Sequence, residues 1–129
     1  MTKARLEHVN FTVPDPKKTA DWLCELLGWK IRWEGGSIHN GFTVHVGGED
    51  SYFAIYTGPN HDPKAGVDTS YNQIGGLNHI GIVVDDLDQI EAKVKKLGFE
   101  THSHADYEPG RRFYFHDDDG IEYEIINYD

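Results

Sequence analysis

The chain repeats itself once, and that repeat limits what it can fold into. Leu6-Glu7-His8-Val9-Asn10-Phe11-Thr12-Val13-Pro14-Asp15 returns as Leu77-Asn78-His79-Ile80-Gly81-Ile82-Val83-Val84-Asp85-Asp86. Each copy has a histidine, apolar residues at the first, third and fifth positions after it, and an aspartate at the seventh. Each is followed by an amphipathic run that closes on Leu27-Gly28-Trp29 or Leu97-Gly98-Phe99. A repeat over more than half of a chain is a statement about architecture. Here it also puts a histidine at the same place in both halves.

At 129 residues the chain has room for one core, and two short repeats must share it. The expectation is a single domain over 1–129, with repeat one at 5–57, a linker at 58–75 and repeat two at 76–128. Twenty-two acids against 12 bases give a formal net charge of -10. Phosphate and anionic lipid call for clustered positive charge, so neither nucleic acid nor a membrane is the expected partner. There is no apolar run long enough to span a bilayer. Residues 1–10 have no apolar segment of the signal-peptide kind. Cys24 is the one cysteine and has no disulfide partner in the chain, so a cytoplasmic setting is expected.

Local patterns fill in the repeat. Residues 5–13 alternate, with Val9, Phe11 and Val13 on one face and His8, Asn10 and Thr12 on the other. Asp15 and Pro16 suit a helix start, and Ala20, Leu23, Cys24 and Leu27 follow at helical spacing over 16–27 until Gly28. Residues 29–34, 41–47 and 51–57 read as strands. The stretch 58–75 is irregular. The second copy reads as a strand at 77–84, then a helix capped by Asp85 or Asp86 with Leu87, Ile90, Val94 and Leu97 as its stripe. Strands follow at 99–103, 111–116 and 121–127, and Asp117 to Gly120 form a turn. Each half is therefore β-α-β-β-β, and the class is α+β. One helix covers one face of each half, and the other face is polar.

That polar face carries ligand-type residues. His8 and His79 occupy matched positions. On the last strand Ile121, Tyr123 and Ile125 should face the helix, which leaves Glu122 and Glu124 on the polar side. Two histidines and one carboxylate with open positions suit Fe(II), and more loosely Mn, Zn or Ni. A single strand histidine is far more often structural, so the weight rests on the matched pair and the shared face. Asn10 lies on that face, and Tyr52 and Tyr56 share the side of Ala54 as an aromatic wall. Arg112 shares a face with Tyr114 and could bind an anionic group of a substrate. A solvated strand-end arginine is the plainer alternative. His102 and His104 read as exposed strand-end residues, the three tryptophans as core or interface, and Cys24 as buried and unreactive.

The double repeat, the His-led strands and the closing Asp117-Asp118-Asp119-Gly120-Ile121-Glu122-Tyr123-Glu124 resemble the vicinal oxygen chelate superfamily over nearly the whole chain. That group includes glyoxalase I, extradiol dioxygenases, fosfomycin-resistance enzymes and bleomycin-binding proteins. The resemblance implies two βαβββ repeats packed into a curved mixed sheet enclosing a cup-shaped cavity. It implies His8, His79 and Glu124 as metal ligands, with Glu124 preferred to Glu122 by its distance from Gly120. The fourth ligand position of glyoxalase I falls on Ala54, which cannot bind a metal.

Tyr114 to Glu124 resembles the extradiol signature, with Asp118 where that signature has proline. It implies a role for Tyr114 at the substrate or its oxygen. The base histidine of those enzymes is replaced by Ser51, and His61 in the long loop is the substitute considered. The resemblance therefore implies a divalent-metal-dependent enzyme on a small substrate with vicinal oxygens, with Fe(II) and extradiol-dioxygenase-like chemistry favoured. A metal-free bleomycin-resistance-type binding protein and a lyase or isomerase of the same fold are the alternatives. A homodimer is expected, with the metal site either within one chain or across the dimer.

Overall fold

The protein is described by a computed structural model that covers residues 3–66, 69–107 and 110–129. It divides into two compact units, Met1–Ala65 and Gly66–Asp129. The boundary falls within the expected linker, of which Val67 and Asp68 lie outside the described residues.

The first unit runs β1 (His8–Thr12), α1 (Pro16–Leu27), β2 (Lys30–Ser37), β3 (Gly41–Gly47) and β4 (Tyr52–Thr57). Its sheet has the order β1-β4-β3-β2, with β1 parallel to β4 and the other pairs antiparallel. The second unit repeats the plan with β5 (Ile80–Val83), α2 (Leu87–Lys96), β6 (Thr101–Tyr107), β7 (Gly110–His116) and β8 (Glu122–Asn127). Its order is β5-β8-β7-β6, again with the outer first strand parallel to the last. The α+β class and the doubled βαβββ plan expected from the repeat are therefore present.

The helices start where the sequence says they should. Asp15 accepts a hydrogen bond from the Lys18 amide at 3.2 Å, with Pro16 in the first turn. Asp86, rather than Asp85, does the same for Gln89 at 3.0 Å. Gly28 ends α1 in the left-handed conformation, φ 70°, and donates to the Cys24 carbonyl at 2.9 Å. The buried stripe of α1 is Pro16, Thr19, Ala20, Leu23 and Leu26. Cys24 and Leu27, expected on it, are only half-buried, because the stripe drifts by one position over three turns. Leu97 is likewise half-buried at the end of α2.

Each helix closes one face of its sheet. Phe11, Val13, Val44, Val46, Phe53 and Ile55 are buried in the first unit. Ile82, Phe113, Phe115, Tyr123 and Ile125 are buried in the second. Ile121, expected among them, precedes β8 and is half-buried. Trp33, expected in a core or interface, is 49% exposed. It sits on the uncovered face beside His45. No helix among the described residues is long and apolar enough to cross a membrane.

Two polar clusters hold the second unit together. The expected turn at 117–120 is built on buried Asp117, which accepts from the amides of Asp119 (2.9 Å) and Ile121 (3.0 Å) and from the buried Tyr123 hydroxyl (3.1 Å). Burial pushes its carboxyl above the ordinary range, and these donors only partly offset that. Behind the sheet, Glu91 of α2 accepts from Thr101 and His104 of β6. Burial pushes the Glu91 carboxyl up, but those two donors and Lys95 outweigh it and hold it below the usual range.

Asp117→Ala is expected to cost about 2–4 kcal/mol, because it leaves a buried hydroxyl and two amides without an acceptor. Tyr123→Phe should cost about 1 kcal/mol. Urea unfolding of both variants checks the order. For Glu91 the lowered pKa sets the sign: its contribution is present above the ordinary value of 4.5 and is lost as pH falls through the lowered one. Glu91→Gln should therefore be less stable than the parent at pH 7, and the gap should close as pH falls through that lowered value, read from urea midpoints across the acid range.

Candidate functional site

The uncovered face of the second sheet is a connected polar network. His79 stands just before β5, Arg112, Tyr114 and His116 project from β7, and Glu122 and Glu124 project from β8. The pairing register sets Tyr114 beside Glu124 and Gly81 on its other side. Strand alternation therefore brings together four residues singled out from the sequence: His79, Glu124, Tyr114 and Arg112.

Glu124 is the centre of this group. Its carboxylate is 13% exposed. Arg112 Nη1 donates to its Oε2 at 2.9 Å, and the Arg112 guanidinium also reaches the Gly110 carbonyl (3.3 Å) and the face of Tyr107 (5.0 Å). Arg112 is only 12% exposed, so this is a largely desolvated ion pair rather than a solvated strand end. The other oxygen, Oε1, lies 3.4 Å from His79 Nε2. Gly81 leaves that oxygen uncovered; a Cβ there would sit 3.9 Å from it.

The far side of His79 fixes what its ring can do. Tyr71, on a short 3-10 turn at Ser70–Asn72, donates its hydroxyl proton to Glu122 Oε1 at 3.0 Å. Tyr71 has one proton to give. The Tyr71 oxygen can then accept from His79 Nδ1, 3.2 Å away. The other ring nitrogen, Nε2, is aimed at the Glu124 carboxylate oxygen. An imidazole nitrogen and a carboxylate oxygen 3.4 Å apart are ligand types that a divalent metal ion takes, so the pair fits such an ion. Tyr114 packs edge-on against His79, with ring centroids 5.5 Å apart. Burial first, then the charge and acceptor oxygen of Glu124, push its phenol pKa up, so it stays protonated at neutral pH.

The first unit presents rings on its uncovered face instead. His8 stacks on Tyr52 (5.0 Å), Tyr52 stacks on His45 (4.7 Å), and Trp33 leans on His45 (5.1 Å). Arg32 lies over Tyr52 at 4.5 Å. Glu7 accepts from Tyr52 at 3.1 Å and from His8 Nδ1 at 2.9 Å, which leaves His8 Nε2 unengaged by that pair. The His8 hydrogen bond, then that of Tyr52, hold the Glu7 carboxyl below its usual range. Burial, then the neighbouring His8 and Arg32, push His45 below the ordinary imidazole value and keep it neutral. Ala54 pairs with Asn10 and His45 as Glu124 pairs with Gly81 and Tyr114, so the fourth ligand position is a buried methyl.

The remaining expected residues are placed less usefully for binding. Asn10 gives its amide to the Ala54 carbonyl at 2.9 Å, and Tyr56 gives its hydroxyl to the Ile38 carbonyl at 2.8 Å. His61 is exposed on the loop after β4 with left-handed backbone, φ 55°. His102 and His104 are not simple strand ends. A β-bulge between His102 and Ala105, with Ser103 at φ 55°, sends His102 to the uncovered face and His104 to the helix side.

Sequence reasoning missed the roles of His116, Tyr71 and His45. Alternation with Tyr114 would have placed His116, and alternation with Thr43 and Gly47 would have placed His45. No local signal marks Tyr71, which reaches the site from the irregular stretch.

Comparison with known proteins agrees with the architecture. No curated protein is a significant match. Solved structures are similar in fold. A glyoxylase/bleomycin resistance protein/dioxygenase domain from Frankia sp. EAN1pec superposes with a TM-score of 0.81 at 20% identity, over 99% of this chain and 100% of that one. TnmS3, an antibiotic binding protein from Streptomyces sp. CB03234, gives 0.75 at 20% identity over 100% and 99%. The fosfomycin resistance protein FosX from Mesorhizobium loti gives 0.71 at 24% identity over 97% and 92%. The sequence profile of one family matches residues 5–125, and on that ground the chain belongs to the Glyoxalase/Bleomycin resistance protein/Dioxygenase superfamily.

Proposed function

We propose that this protein is a divalent-metal-dependent enzyme that acts on a small molecule with two neighbouring oxygens, with extradiol-dioxygenase-like chemistry the leading form. The observation that carries the proposal is His79 Nε2 facing Glu124 Oε1 at 3.4 Å, with Tyr114 beside them. His79 and Glu124 would hold the ion, Fe(II) being favoured over Mn, Zn or Ni for two histidines and a carboxylate. His8, the third ligand implied by the resemblance, enters the proposal through substitution. When bound, such an ion supplies Lewis acidity toward the substrate's oxygens.

The protein's own residues have defined tasks in this reading. Arg112 tethers one oxygen of Glu124 and turns the other toward His79. Tyr71 engages His79 Nδ1 from the far side and orients the ring. Tyr114, kept protonated, donates a hydrogen bond to a substrate oxygen and can hold a proton there. A small-molecule substrate and a homodimer complete the proposal.

A second reading is favoured by the Arg112–Glu124 ion pair. It already neutralises the carboxylate, as a metal-free binding protein would require. The ring ladder of His8, Tyr52, His45 and Trp33 would suit a flat ligand. The antibiotic-binding relative of similar fold fits that reading.

Metal content separates the two. In the enzyme reading, protein purified without added metal or chelator carries Fe, Mn, Zn or Ni. His79→Ala and His8→Ala each lose one equivalent of it, while both variants keep the parent's circular dichroism. A protein that takes up none of these ions when offered them is instead a metal-free binder. Arg112→Gln gives an independent check. Because Arg112 orients Glu124 in the enzyme reading, its loss should weaken metal uptake by roughly 10- to 100-fold, as loss of an outer partner of a ligand does. An unchanged affinity in competition with a chelator dye would count against Glu124 as a ligand.

A further inference from the structure

A second group of metal-type ligands lies on the same sheet, outside the His79–Glu124 pair. His102 of β6, His116 of β7 and Glu122 of β8 come from three adjacent strands, and one ligand atom from each lies within 4.8 Å of the others. His102 Nε2 is 3.1 Å from His116 Nδ1, and the rings are stacked at 5.0 Å. His116 Nε2 is 3.4 Å from Glu122 Oε2. These two spacings use different His116 nitrogens; with one atom from each residue the set lies within 4.8 Å, and one ring must turn to bring all three to about 2.0–2.1 Å from a single ion. His116 turns one nitrogen to each neighbour, and one of the two serves the ion.

The surroundings are those of a prepared site. The left-handed bulge at Ser103 aims His102 across the sheet; an unbroken strand would put His102 and His104 on one face. Ser103 Oγ lies 2.9 Å from His102 Nδ1, so the other ring nitrogen is the one presented. Tyr71 donates to Glu122 Oε1, which fixes the carboxylate and leaves Oε2 toward His116. Such outer partners orient ligands and set the histidine tautomer. An open cleft of about 370 Å³, lined by Tyr71, Leu77, Asn78, His116 and Glu122 among others, gives an ion and one further small ligand access.

We infer that His102, His116 and Glu122 form a divalent transition-metal site, of the kind that takes Zn(II), separate from the His79–Glu124 pair and open to the cleft at Tyr71. Two imidazoles and one carboxylate suit zinc, nickel or copper, and three protein ligands leave a position for water or a small anion.

The test is Zn(II) titration of the full chain after chelator treatment, in competition with a chromogenic chelator, for the parent and for His102→Gln, His116→Gln, His104→Ala and His79→Ala. Circular dichroism identifies any variant that fails to fold, and Glu122→Gln then replaces it. In the expected result, His102→Gln and His116→Gln each weaken one equivalent of Zn(II) by about 100-fold or more, as loss of one ligand in three should. His104→Ala, whose ring faces α2, leaves that equivalent unchanged. His79→Ala also keeps it, whether or not the proposed catalytic ion exists, so the two readings fail separately. Parent-like affinity and stoichiometry in both glutamine variants would overturn the inference. So would a parent that takes up no Zn(II), or a single equivalent lost only in His79→Ala.

Discussion

A four-stranded sheet with one helix on it has one dry face and one wet face, and everything distinctive about this chain follows from that asymmetry. The helix side must be apolar at every second residue, because each polar group sealed there needs its own partner. Asp117 and Tyr123 meet that demand by pairing with each other. Polar chemistry is displaced to the opposite side. The strands that bury Phe113, Phe115, Tyr123 and Ile125 present Arg112, Tyr114, His116, Glu122 and Glu124 on their other face. The face that carries the candidate site is the complement of the core.

The two units put different chemistry on the same scaffold. Where the second has Glu124 between Gly81 and Tyr114, the first has Ala54 between Asn10 and His45. In the second repeat Arg112, Glu124, His79 and Glu122 hold one another in line. The other repeat is held by stacked rings and one peripheral carboxylate, Glu7. Removing the carboxylate at position 54 also removes the need to desolvate a second charge.

How far the sequence discloses this depends on the length scale of the cause. Alternation and capping are local, so the helix at 16–27, a cap at Asp85 or Asp86 and the turn at 117–120 are legible in the order of the residues alone. The shared face of His79, Glu124, Tyr114 and Arg112 is legible for the same reason. What fails has a non-local cause. The bulge at Ser103 breaks the period of two, so His102 and His104 part company in a way that alternation cannot express. Tyr71 reaches Glu122 across 51 residues from a segment with no periodicity at all. The face of α1 is mistaken at Cys24 and Leu27 because helical spacing fixes a stripe only to within one residue.

The parallel pairing of β5 with β8 sets the order in which the site can come into being. These strands open and close the second repeat, so His79 stays apart from Glu124 until α2 and the hairpin of β6 and β7 are in place. Contacts of such long sequence separation form late, because loop closure is entropically costly until the intervening chain has condensed. On a ribosome, the carboxylate arrives only with the last strand of the repeat. A partly made chain can hold both helices, yet has not brought His79 and Glu124 together.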